Sequence, residues 1–169
     1  TDYSKNSVDL ARKHFPLLKN MIFQSDAYNM RNINDNAFDA TFHNGFWVLF
    51  DDNNEISALA KEQARITKRK MVVTVHNGHN KKFIHYFKKL SREDPLYRIR
   101  FFTIDEIRSL MLTVCKSVKI VPVGKGKKHF EDQMINNGAV DRKGMNAFFE
   151  DAEMKHIDIS ERLLCIGFL

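Results

Sequence analysis

The chain has 169 residues, 43% of them hydrophobic and 28% charged, with a formal net charge of +6. That is enough apolar material to bury a core, and it is not the composition of a disordered chain. No apolar run approaches the roughly 18–20 residues that cross a bilayer, and the opening TDYSKNSVDLARKHF lacks the apolar centre of a secretory signal. A cytoplasmic location and no membrane partner are therefore expected.

The first element is helical, because Val8, Ala11, Phe15, Leu18 and Ile22 recur at three- and four-residue spacing. Pro16 interrupts the pattern and predicts a kink or two short helices. Residues 25–37, SDAYNMRNINDNA, are polar and Asn-rich and read as loop. Two short β-like runs, 38–42 and 46–50, flank His43-Asn44-Gly45, which predicts an antiparallel hairpin. The acidic loop DDNNE (51–55) follows, then a helix from about 56 to 69 carrying Ile56, Leu59, Ala60 and Ile66.

MVVTV (71–75) is a β-branched strand, followed by HNGHN (76–80) and a helix with Phe83, Ile84, Phe87 and Leu90 on one face. YRIRFFT (97–103) reads as the next strand. Thr103-Ile-Asp-Glu106 is a capping box that opens a helix with Ile107, Leu110, Met111 and Val114 inward. VKIVPV (118–123) is another strand, and GKGKK (124–128) leads into a helix near 129–136. Met145, Phe148, Phe149 and Ala152 mark a further helix, and RLLCIGFL ends the chain as a strand or a buried tail.

This order predicts one α/β domain over residues 1–169: an N-terminal helical segment and loop (1–37), a βαβαβαβ core (38–136), and a C-terminal helix and tail (137–169). The expected fold is a three-layer α/β arrangement. It has a mainly parallel sheet of about four strands, an antiparallel edge strand from the hairpin, and helices on both faces. Cys115 and Cys165 each sit in an apolar run and are expected to be buried free thiols.

Parallel strands bring the loops 51–55, 76–80, 103–105 and 124–128 to one rim, where open α/β sheets bind ligands. Asp51 and Asp52, with His76, offer an oxygen and nitrogen set for Mg²⁺ or Mn²⁺, and His76 or His79 offers acid–base catalysis. The plainer reading is that Asp52, Asn53 or Asn54 caps one helix and Asn80 the next. VLFDDNNEI resembles the first motif of haloacid-dehalogenase-type phosphohydrolases. It departs from that motif at Asn53 and Glu55, with no matching acidic pair downstream, so no family is assigned.

Charge is lopsided. Residues 66–143 hold 18 basic and 7 acidic side chains, against 7 and 9 in residues 1–65 and 2 and 5 in residues 144–169. Such focusing suits a polyanion. Lys68, Arg69, Lys70, Lys81, Lys82, Arg98 and Arg100 are candidate phosphate contacts, as are Lys125, Lys127 and Lys128 of the Gly/Lys turn.

The first functional expectation is a nucleic-acid-associated accessory protein that binds DNA or RNA backbone and needs no cofactor. The alternative is a metal-dependent phosphoester hydrolase, a nuclease or phosphatase using Mg²⁺ or Mn²⁺. The third is an adaptor whose basic face meets an acidic protein partner.

Overall fold

The computed structural model describes residues 1–124 and 156–169. The helices expected near 129–136 and around Met145–Ala152 lie outside the described residues, as do Lys125, Lys127 and Lys128.

Helix α1 (Lys5–His14) is capped by the Ser4 hydroxyl, which accepts from the Ser7 amide. Pro16 then opens a separate 3-10 turn, Pro16–Met21, so the proline divides the apolar stripe as expected. Strand β1 (Phe38–Asn44) precedes helix α2 (Asn53–Ile66) and strand β2 (Thr67–His76). Helix α3 (Lys81–Leu90) and helix α4 (Ile104–Leu112) follow, with strands β3 (Ser117–Val123) and β4 (Arg162–Phe168) last.

The four strands lie in the order β1-β2-β4-β3. β1 and β2 pair in parallel, while β4 runs antiparallel to both β2 and β3. β1, β2 and β3 therefore point the same way, and their carboxyl ends, at Asn44, His76 and Val123, share one rim. The mainly parallel α/β sheet with helices on both faces is what the strand–helix alternation predicts.

Strand alternation sorts the two faces. Met71, Val73 and Val75 of β2, with Ile120 of β3 and Leu163 and Cys165 of β4, are fully buried. They share one core with Ile56, Leu59 and Ala60 of α2 and Ile107, Leu110 and Met111 of α4. A polar link pins α2 to the start of the sheet. The Thr67 hydroxyl donates to the Gln63 carbonyl (2.6 Å), Thr41 and Thr67 share a hydroxyl hydrogen bond (2.7 Å), and the Gln63 amide donates to Thr41 (3.0 Å). On the opposite face, His76 meets Phe83 and Phe87 of α3.

The Asn-rich loop is tied down by Arg65 at the end of α2. Its guanidinium donates to the Met30 and Ile33 carbonyls and pairs with Asp35 and Glu62. These carboxylates hold the guanidinium's pKa above its ordinary value.

Three expectations are corrected. Residues 46–50 do not form a hairpin strand. Gly45 turns the chain at φ 72°, and Trp47–Leu49 is a 3-10 turn that buries Trp47 and Val48. A short apolar run reports burial, and burial here needs no strand. The antiparallel strand is thus the internal β4, not an edge hairpin. Residues 97–103 are not a strand either: Pro95–Tyr97 is a 3-10 turn, and Phe102 makes one isolated bridge to Asn77. Finally, α2 stops at Ile66, so Lys68–Lys70 begin β2 instead of ending a helix.

The sheet leaves no room for a side chain at Gly167, where an added Cβ would lie 2.3 Å from the Cys115 sulfur and 3.0 Å from the Met111 methyl. Gly167→Ala should overpack the β4–α4 contact and cost about 1–3 kcal/mol in urea unfolding. An unchanged midpoint would show that α4 does not press on β4 there.

Candidate functional site

The rim formed by the carboxyl ends of β1, β2 and β3 is real, but most of the expected catalytic groups there have structural work. Asp52 is the N-cap of α2, its carboxylate accepting from the Asn54 amide at 2.9 Å. Asp51 is exposed, and its carbonyl accepts from the Arg100 guanidinium at 2.9 Å. His76 is buried, its ring 5.2–5.6 Å from the rings of Phe83, Phe87 and Phe101.

The rest of HNGHN is a set of ties. The Asn77 side chain donates to the carbonyls of Ile157 (2.5 Å) and Ser160 (2.8 Å) and accepts from the His79 amide (2.9 Å). The ring Nε2 of His79 accepts from the Ile104 amide at 3.1 Å, at the start of α4. Asn80 caps α3 by accepting from Phe83 and donates to the Ser160 carbonyl. Among the described residues, no group of three or more His, Cys, Asp or Glu converges to hold a metal ion.

The basic residues do not form one surface. Lys68, Arg69 and Lys70 are exposed at the amino end of β2, whereas Lys81 and Lys82 open α3 beyond its carboxyl end. Lys70 lies over the Phe168 ring at 5.5 Å. Arg100 is largely buried, stacked 4.5 Å from the centre of Phe102 and paired with Glu106. Arg98, exposed in a turn, does not share a strand face with it. Gly124, the first glycine of the Gly/Lys turn, stands where a Cβ would run into Glu161. Its glycine therefore has a packing cause.

A cavity of about 650 Å³ lies along β1, from Phe38 to Asn44 at the rim. It is lined by Phe38 and residues 40–44 of β1 with Phe46 and Trp47, and also by Asp2, Tyr3, Ser25 and Ala27. Asp2 forms a parallel bridge with Gln24, and its carbonyl accepts from the Ser25 amide at 2.9 Å. Residues 1–3 and 23–25 are thus two adjacent extended segments joined through α1, a small βαβ unit. The Asp2 carboxylate accepts from the Ser4 amide at 2.8 Å, just before α1 begins. His43 packs against Phe46 and Trp47, and neither of its ring nitrogens finds a hydrogen-bond partner among the described residues. A second cavity, about 660 Å³, lies between the start of α3 and residues 158–161.

Asp2 and His43 are the ionisable side chains that line the first cavity beside Tyr3, and sequence reasoning passed over both. Three extended residues are too few to show a strand period, and His43 read as part of a turn. The one available signal was an acidic residue directly before a capped helix.

No protein-family model matches this sequence, and no curated protein does either. Solved structures do match by shape. A SAM-dependent methyltransferase from Thermotoga maritima aligns with a TM-score of 0.61 at 16% identity, over 98% of this chain and 70% of its own. One from Archaeoglobus fulgidus gives 0.63 at 13%, over 99% and 74%. The geranyl diphosphate C-methyltransferase of Streptomyces coelicolor A3(2), solved with S-adenosylhomocysteine, gives 0.51 at 12%, over 98% and 60%. These likenesses show the fold, a Rossmann-like α/β layer.

They also overturn the functional expectations drawn from charge and from the rim carboxylates. The solved structures that share this fold are SAM-dependent methyltransferases, and among the described residues no acidic or histidine cluster converges on a metal, so the expectations of a nucleic-acid-binding accessory protein, a metal-dependent nuclease or phosphatase, and a basic adaptor for an acidic protein are withdrawn. The expectation of either no cofactor or Mg²⁺ or Mn²⁺ falls with them. No helix among the described residues is long and apolar enough to cross a membrane.

Burial lowers the pKa values of His43 and His76 from 6.5 to about 4, with the positive charge of Arg162 adding to the effect at His76. Both are neutral in the folded protein at pH 7 and bind fewer protons than the unfolded chain between those values. Their contribution to stability is therefore complete above about pH 6.5 and is lost as pH falls toward 4. Urea midpoints should fall across that window in the parent protein and less steeply in His76→Phe. Identical slopes would mean that the ring can take up a proton in place among its phenylalanines.

Proposed function

We propose that this chain is part of a SAM-dependent methyltransferase domain, with the cofactor's nucleoside end in the cavity beside β1. The observation that carries this reading is Asp2. It stands in a short extended segment just before helix α1 and lines the cavity together with β1. In doubly wound α/β folds a carboxylate in such a place accepts hydrogen bonds from ribose hydroxyls.

The residues present fit a nucleoside. The Asp2 carboxylate can accept from the two ribose hydroxyls, and Ala27 and Phe46 supply apolar wall for a purine. His43, neutral because it is buried, leaves two ring nitrogens that could exchange hydrogen bonds with a polar ligand. When bound, the cofactor supplies an electrophilic methyl group on a sulfonium. A nucleophile of the acceptor forms the new bond to carbon, and the C–S electron pair returns to sulfur as the neutral thioether. The chain's own contribution is to bind, orient and desolvate. The buried core beneath β1 fixes the cavity wall, and Trp47 excludes water from below it.

Titration with S-adenosylhomocysteine, followed by amide chemical shifts, tests the reading. Shifts should concentrate at Asp2, Ser25, Ala27 and His43–Gly45, and Asp2→Asn should weaken binding about tenfold or more, as loss of a charged hydrogen-bond acceptor does. Shifts confined to the α3 cavity, or affinity indifferent to Asp2→Asn, would sink it.

A further inference from the structure

Arg65, Arg100, Arg108 and Arg162 are partly buried, and the first three are paired with carboxylates. Arg65 meets Asp35 and Glu62, Arg100 meets Glu106, and Arg108 meets Asp105. Arg162 pairs with no carboxylate among the described residues. Its partner there is neutral, since Nη1 donates to the Asn44 side-chain Oδ1. A guanidinium carries several N–H donors and keeps its charge at any ordinary pH. One neutral acceptor leaves most of those donors, and all of that charge, for an anion.

Strand order puts this cation at the rim. Arg162 opens β4, opposite His76 at the end of β2 and Val123 at the end of β3. β2 separates β4 from β1, and neighbouring strands stand ~4.8 Å apart. The side chain therefore reaches across the end of β2 to meet Asn44, the last residue of β1. A Cβ built on Gly45 would lie 3.7 Å from Nη1, so the guanidinium rests against the turn that follows β1. Asn44, Phe46 and Trp47 line the first cavity. The cation thus stands just inward of that cavity, over the end of β2. Asn44 is exposed, and no described residue accepts from its side-chain NH₂. That group is a second donor beside the guanidinium.

We infer that Arg162 anchors the oxyanion, a carboxylate or phosphate, of a small-molecule methyl acceptor. The inference rests on the cofactor reading above and names the acceptor's chemical class. Methyl transfer is an in-line displacement, so the acceptor's nucleophile approaches the methyl carbon from the side away from sulfur. With the nucleoside in the cavity beside β1, the acceptor comes from the inner rim, over β2 and β4, where Arg162 stands. A guanidinium takes either oxyanion through parallel N–H···O bonds. Held by such a bond away from the reacting atom, the acceptor has a fixed distance and orientation to the methyl group. The cofactor's own amino-acid tail also ends in a carboxylate. An ammonium lies beside it, and a cation so close offsets the attraction to Arg162.

The test follows the side-chain N–H resonances of Arg162 and Asn44 in the 169-residue protein. Inorganic phosphate or acetate is added at constant ionic strength, first without cofactor and then with saturating S-adenosylhomocysteine. Failure to bind the anion and failure to bind the cofactor are therefore separate results. At least one of the two anions should move both resonances saturably, in the presence of S-adenosylhomocysteine as well as in its absence. Arg162→Gln should weaken that binding about tenfold or more. Arg162→Lys, which keeps the charge and loses the fork, should retain part of it. Parent-like backbone shifts in β2 and β4 show that the variants are folded, and the parent titration decides the matter if they are not. No saturable shift at Arg162 overturns the inference, as does a response confined to Lys81 and Lys82. So does loss of the anion response with S-adenosylhomocysteine but not with 5′-methylthioadenosine, which lacks the amino-acid tail. The guanidinium would then serve the cofactor's carboxylate.

Discussion

The structure depends on β4, the last strand in the chain and the one that runs against the others. It supplies hydrogen-bond partners to β2 on one side and β3 on the other. Without it β3 would have no connection to the sheet, and the fully buried Leu163 and Cys165 would leave a gap in the core under α4. The close approach at Gly167 follows from the same demand, because α4 can cover β4 only where one residue has no side chain to displace. The Asn77 and Asn80 amides, both bonded to the Ser160 carbonyl, tie the β2–α3 loop to the turn that leads into β4.

What the sequence reveals about this fold is what local chemistry decides. The capping box at Thr103 and Glu106 forms as the residue types require, and the apolar stripes of α2 and α4 face the core. β2 and β3 are strands because their β-branched runs are buried on a sheet. The buried free thiols of Cys115 and Cys165, whose pKa values burial raises, follow from their apolar surroundings. Strand order is different. That residues 162–168 lie between β2 and β3 is a long-range choice, and nothing local to RLLCIGFL encodes its neighbours.

The functional expectation failed for a related reason. Charge was counted along the chain, but a binding surface is made in space. Arg100 is committed to Phe102, Glu106 and the Asp51 carbonyl, and Lys68–Lys70 lie at the end of β2 away from Lys81 and Lys82. The acidic loop likewise held its answer in its plainest feature, since Asp52 caps α2. Asp2 and His43 both line the cavity and were illegible, because one stands in a segment too short for a pattern and the other, near the end of β1, read as part of a turn.

The position of β4 also governs the order of assembly. Lys70 must find Phe168, and His76 must find Arg162, across more than half of the chain's length. Closing so large a loop costs entropy before any ladder bond returns it, which makes such pairings late and slow. A ribosome extruding this polypeptide would release α1 through α4 well before the strand that unites the sheet. Until then the apolar undersides of β2, β3 and α4 have no shared lid, and that interval is when this protein is most exposed to aggregation.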